Sequence, residues 1–178
     1  MTIENKKIAM IIAHQDFRDE ELFIPRNIFL NEGGEVKIVS SKKEEALGSF
    51  GGVTDVDLTL EELNVADYDA IIFVGGSGAF NYIENNIVHK IIKEAVSKKK
   101  LLGAICIAPA ILAKSGVLKG KRATVWSNKM DKSAVKILKE NGAKYENKAV
   151  VSDRRIVTAN GPSYARQFAE RIIELLTN

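Results

Sequence analysis

Apolar residues follow two alternating rhythms along this chain. Short runs without polar interruption occur at KIAMIIA (7–13), DAIIFV (69–74) and KLLGAI (100–105). Continuous apolar runs of this length are what strands covered on both faces require. EVKIVS (35–40) and RATVW (122–126) read as two more strands. Between them, apolar residues recur at helical spacing: Ile87, Ile91, Ile92, Ala95 and Val96, then Met130, Ala134, Val135, Ile137 and Leu138, then Phe168, Ile172, Leu175 and Leu176.

The punctuation agrees with this reading. Residues 25–32 are part of a helix closed by Gly33-Gly34, residues 107–115 a helix closed by Gly116, and Asn141-Gly142 stops the helix before it. Residues 148–151 and 155–159 flank the turn Ser152-Asp153-Arg154 as a hairpin. Residues 41–58, with Gly48, Gly51 and Gly52, predict an irregular hairpin. Strand alternating with helix implies an α/β fold, a mostly parallel sheet with helices on both faces. The chain of 178 residues, free of repeats and linkers, is expected to form one domain over 1–178.

In such sheets ligands bind beyond the carboxyl ends of the strands. Three strand ends therefore stand out: His14-Gln15-Asp16, Gly75-Gly76-Ser77-Gly78, and Cys106, the chain's one cysteine. Cys106 falls where a strand gives way to a helix, with Pro109 suited to the first helical turn. Free backbone N–H groups there favour thiolate over thiol, and a sharp strand–turn–helix elbow exposes its side chain. A buried, inert cysteine is the competing reading. The Gly-Gly turn lets the backbone approach a ligand closely, and the N–H groups of Gly76 and Ile107 could form an oxyanion hole facing the sulfur. Taken alone, the Gly-Gly signal is weak, and a plain tight turn is the reading it favours. DFRDEEL (16–22) is rich in carboxylates: Asp16, Asp19 and Glu20 read as caps and dipole partners, while one carboxylate could point inward to the cysteine.

Composition narrows the classes. A net charge of +3, from 26 basic and 23 acidic residues, with scattered lysines and no interleaved aromatics, gives no nucleic-acid surface. No apolar run reaches the roughly 18 residues that span a bilayer, so no membrane partner is expected. One cysteine forms no internal disulfide, and no Cys/His cluster has zinc spacing, so neither metal nor cofactor is expected, and a reducing cytoplasmic location is.

Taken together, FRDEELFIP, DLTLEELNVADYDAIIFVGG, the AIC elbow, SGVLKG and VVSDRRIVTANGP resemble the ThiJ/PfpI superfamily of deglycases and intracellular proteases, from Lys7 to the final helix. The resemblance implies a flavodoxin-like three-layer sandwich, usually dimeric or a higher homo-oligomer, with Cys106 reactive at a nucleophile elbow. It implies Glu21 as the carboxylate against that cysteine, Gly75, Gly76 and Ile107 around the oxyanion, and Trp126 beside the pocket. His14 is a further candidate for general base or substrate contact; His89 is expected on the surface.

Two departures qualify it. Ile107 stands where the protease and glyoxalase branches usually carry His, and Phe80 where the protease branch uses a glutamate. The chain is therefore similar to the branch with a small or apolar residue after the cysteine. The expected function is cysteine-dependent hydrolysis of small reactive carbonyls or their protein adducts. A redox sensor or chaperone acting through Cys106 oxidation, and a peptidase or amidase, are the alternatives.

Overall fold

The computed structural model describes residues 2–178. The strands are β1 Lys7–Ile11, β2 Gln15–Phe17, β3 Glu35–Ser40, β4 Ala46–Gly48, β5 Val53–Thr54, β6 Leu58–Thr59, β7 Ala70–Phe73, β8 Leu101–Ile105, β9 Arg122–Ala123, β10 Lys144–Tyr145, β11 Val150–Asp153 and β12 Ile156–Ala159. The helices are α1 Asp19–Asn31, α2 Asn86–Ser97, α3 Pro109–Lys114, α4 Ser133–Glu140 and α5 Ala165–Thr177.

Seven strands form one sheet in the order β11-β12-β8-β7-β1-β3-β6. All neighbours run parallel except β11, which pairs antiparallel with β12. The continuous apolar strands feed two cores by side-chain alternation. Ala9, Ile11, Ile71, Phe73, Leu102 and Ala104 face the layer of α2, α3 and α4. Ile8, Met10, Ile72, Leu101 and Ile105 face that of α1 and α5. This is the flavodoxin-like α/β sandwich. Gly103 makes the close packing possible: a Cβ there would lie 2.7 Å from Ile72 Cδ1 and 2.9 Å from Phe168 Cζ of α5.

Three boundaries differ from the sequence reading. The hairpin turn is Arg154-Arg155, because Ser152 and Asp153 pair with Val157 and Ile156 within β11–β12. Helix α1 begins at Asp19, six residues before Pro25, which lies inside it. RATVW is a strand only over Arg122–Ala123, paired with β10 outside the main sheet. Beyond Ala123 its backbone bonds elsewhere: Thr124 N–H donates to Thr158 Oγ1 at 3.0 Å, and Trp126 N–H to the Cys106 carbonyl at 2.8 Å. The irregular hairpin is β4–β5, antiparallel around Gly51, with β2 alongside β4.

Strands β1, β7 and β8 are adjacent, in register Ile11↔Phe73↔Ala104. Their carboxyl ends therefore deliver the residues after β1, the Gly-Gly turn and Cys106 to one edge of the sheet.

Candidate functional site

Cys106 follows the last residue of β8 with φ +64°, in the left-handed region that a side chain enters at a cost of about 1–2 kcal/mol. Two hydrogen bonds hold it there, from its own N–H to the Ala159 carbonyl at 2.9 Å and from the Trp126 N–H to its carbonyl. The next turn closes at once, with Ala108 N–H on the Ile105 carbonyl at 3.1 Å and Pro109 opening α3. The cysteine is thus a strained elbow residue, half-buried between the two cores.

The backbone N–H groups of Gly76 and Ile107 are close enough to its sulfur to pull the thiol pKa down. Both stabilise thiolate. Helix α3 has only six residues, so these two individual donors, more than a long helix dipole, supply the positive field.

The carboxylate beneath the sulfur is Glu21, fully buried at 0% exposure. It is the third residue of α1, a position from which a glutamate often reaches back to the helix start. Here it turns inward. Its Oε2 accepts the Gly75 N–H at 2.9 Å, its buried Oε1 has no hydrogen-bond partner, and the carboxyl is close enough to act on the Cys106 thiol. The Gly75 carbonyl in turn accepts the Arg18 N–H at 3.0 Å. The start of α1 therefore grips the Gly75 peptide by both its donor and its acceptor, which fixes the Gly76 N–H against the sulfur.

Both glycines are sterically required. A Cβ on Gly75 would lie 2.5 Å from Glu21 Oε2 and 2.7 Å from Cys106 Cβ. Gly76, at φ +103°, would collide with the backbone of Asp16–Arg18.

Burial pushes the Glu21 carboxyl up from 4.5 to about 7, against the pull of its Cys106 and Gly75 hydrogen bonds. Burial also pushes the Cys106 thiol up, the negative charge and acceptor role of Glu21 push it further, and the Gly76 and Ile107 N–H groups pull it down. Protonation of Glu21 reverses the carboxylate's part: the charge vanishes and the carboxyl becomes a donor. The two groups titrate as one unit.

The remaining candidates fall around this pair. The indole of Trp126 lies beside Gly161, where a Cβ would sit 3.6 Å from its Cδ1. His14 has its Nε2 3.9 Å from Glu44 Oε2, in the loop before β4, and its buried Nδ1 unpartnered. His89 is half-buried, its Nε2 2.7 Å from the Ile83 carbonyl, rather than a bare surface residue. Phe80 is exposed.

The other carboxylates of 16–22 are not caps. Arg18 occupies the cap position, without a side-chain capping bond. Asp19 accepts the N–H groups of Gly52 (2.6 Å) and Phe50 (2.9 Å) and so clamps the β4–β5 turn. Glu20 forms a two-point pair with Arg18, at 2.7 and 3.1 Å.

Arg18 was missed by a reading that attended to carboxylates. Its guanidinium stacks 4.4 Å from the Phe50 ring centroid and lies close enough for its charge to act on Glu21 and Cys106. Its place three residues before Glu21, across the first helical turn, is the signal that could have found it.

The family model described as the DJ-1/PfpI family matches residues 6–175. The chain belongs to the DJ-1/PfpI family. Similar family members include the uncharacterized protein MJ0967 of Methanocaldococcus jannaschii, 41% identical over 175 residues, covering 98% of this chain and 84% of that one. Deglycase PYRAB04690 of Pyrococcus abyssi is 29% identical over 168 residues, 94% of this chain and 98% of that one. Among solved structures, the ThiJ/PfpI domain protein of Brachyspira murdochii superposes with a TM-score of 0.93 at 28% identity, over 98% of each chain.

Among the described residues no group of three or more His, Cys, Asp or Glu is placed to hold a metal ion. No described helix is long and apolar enough to cross a membrane.

Proposed function

We propose that this protein is a cysteine-dependent deglycase of small reactive carbonyls or of their early adducts on amino and thiol groups. The observation that carries this is the contact of a buried, high-pKa Glu21 with the elbow sulfur of Cys106. Similarity to the Pyrococcus abyssi deglycase over nearly the whole chain supports the choice of substrate class. Ile107 in the position after the cysteine supports a reading within the branch that has no histidine there.

The site acts through proton placement. With its proton on Glu21, the pair presents a thiolate held by the carboxyl and by the N–H groups of Gly76 and Ile107. The thiolate adds to an aldehyde carbonyl: the C–S bond forms, the π electrons move to oxygen, which the Gly-Gly and elbow N–H groups stabilise, and Glu21 gives its proton to that oxygen and becomes the carboxylate. For an α-oxoaldehyde, Glu21 as carboxylate then removes the proton from the carbon bound to sulfur and returns it to the adjacent carbon. The resulting thioester is cleaved by water to a 2-hydroxy acid, and the thiol is regenerated. No external oxidant or reductant enters. Glu21 carries the proton in this scheme, with Trp126 forming a wall of the pocket.

The test is conversion of methylglyoxal to lactate, and release of its early adducts on N-acetyl-lysine. Wild type is expected to turn over and Cys106→Ser to lose activity; equal rates in the two would overturn the proposal. Stoichiometric peroxide oxidation of Cys106 with no turnover would instead support the redox-sensor reading.

The proposal extends to a cytoplasmic homodimer of single-domain chains. Leu47, Phe50 and Val53, exposed together on the β4–β5 hairpin, support the association. Light scattering tests it, a monomer at micromolar concentration counting against it.

A further inference from the structure

The edge of the sheet opposite Cys106 carries a second concave site. It is a depression of ≈ 340 Å³ where the α2–β8 turn, the residue before β9 and the β11–β12 turn converge. Cys106 follows the last residue of β8 and Lys100 precedes the first. The two sites are thus separated by the length of that strand, about 17–20 Å. They share no residue.

The floor is apolar, formed by Val96 and Ile156, and the rim is basic: Lys99, Lys121, Arg154 and Arg155. None of these four cations has a carboxylate partner among the described residues. Asp153, the one acid at the site, is already engaged by Arg122, whose backbone N–H donates to Asp153 Oδ2 at 2.9 Å and whose Nε lies 3.9 Å from it. Lys100 is tethered by its Nζ to the Ala66 carbonyl at 2.9 Å and adds fixed positive charge to the wall. Two of the rim residues, Lys99 (φ +56°) and Arg154 (φ +54°), occupy left-handed turn positions that Gly or Asn would adopt at less cost. Like charges gathered without counter-ions repel one another, and a bound anion relieves that repulsion.

We propose that this depression binds a small phosphate monoester carrying an apolar group. The dianionic phosphate would sit among the guanidinium and ammonium groups, where Arg154 and Arg155 offer paired N–H donors, and the apolar body would cover Val96 and Ile156. The four cations line a single depression of ≈ 340 Å³. That arrangement suits a compact dianion better than an extended nucleic-acid backbone, which tracks along a charged groove with aromatic stacking.

The test is nitrogen-15 chemical-shift titration of the full chain with phenyl phosphate, inorganic phosphate and a short single-stranded DNA. Saturable shifts with phenyl phosphate, confined to residues 96–100, 121 and 153–156 and stronger than with inorganic phosphate, are expected. Lys121→Gln/Arg155→Gln should weaken binding about tenfold or more, the effect of removing charge-assisted hydrogen bonds, while leaving Cys106 alkylation unchanged. Absence of saturation at millimolar phenyl phosphate would overturn the proposal. So would equal binding of inorganic phosphate, which leaves the apolar floor no role, or preferential binding of the DNA. An unchanged affinity in the double variant, or in Arg154→Asn, would do the same.

Discussion

Glu21 and Cys106 meet at Gly75: the buried Glu21 carboxyl takes the Gly75 N–H at 2.9 Å, and a Cβ on that glycine would lie 2.5 Å from Glu21 Oε2 and 2.7 Å from Cys106 Cβ. A fully buried carboxyl in that position has its charged form disfavoured by burial and its neutral form useful as a donor to sulfur. The proton of this pair therefore links the protein's stability to its chemistry.

Stability should fall as pH rises through the range where Glu21 must ionise. Below pH 4.5 the carboxyl is protonated in both folded and unfolded chains, and its burial costs nothing extra. Above that, the unfolded chain releases the proton first, and the folded chain follows only near 7. The loss over this window is about 3 kcal/mol. Glu21→Gln, which keeps an acceptor for Gly75 and cannot ionise, should flatten the profile. Urea denaturation at pH 4.5 and 8 checks this; equal slopes in variant and wild type would contradict it.

Gly75→Ala should destabilise by about 1–3 kcal/mol, because its methyl group meets Glu21, Cys106 Cβ and the Ile105 carbonyl in a packed site. Gly51→Ala meets no atom within 4 Å and carries only the cost of a left-handed alanine, about 1–2 kcal/mol. The discriminating readout is Cys106 alkylation, which should change in Gly75→Ala and stay unchanged in Gly51→Ala.

Asp19→Ala removes the acceptor of two backbone N–H groups at the β4–β5 turn. It should cost about 1–3 kcal/mol and speed amide exchange at Phe50 and Gly52. Asp19→Asn, which retains one acceptor oxygen, should recover part of the loss.

The layered fold was readable because its signal is local. After their first charged residue, KIAMIIA, DAIIFV and KLLGAI are apolar without interruption, and short runs of this kind are what a sheet covered on both sides uses. The elbow was readable too, since Cys106 follows one of them and precedes Pro109. Other features depend on partners distant in sequence. RATVW has the β-branched composition of a strand, yet Thr124 bonds Thr158 and Trp126 bonds the elbow carbonyl. Asp19 carries the signature of a helix cap but serves a turn more than 30 residues later. The start of α1 was obscured by Pro25, which suits a first turn and here lies within the helix. Among the four acids of 16–22, helical spacing alone did not single out Glu21; the family resemblance did.

The most direct test of the central claim is the rate of iodoacetamide alkylation of Cys106 against pH, in wild type and Glu21→Gln. The wild-type midpoint should lie below the free-thiol value of about 8.5, because the first proton that the Glu21–Cys106 pair loses leaves the sulfur while the carboxyl keeps its own. An upward displacement is expected in the variant, because an amide N–H is a weaker donor to thiolate than a carboxylic O–H. Labelling that begins only when the protein unfolds, or a midpoint indifferent to Glu21, would contradict it.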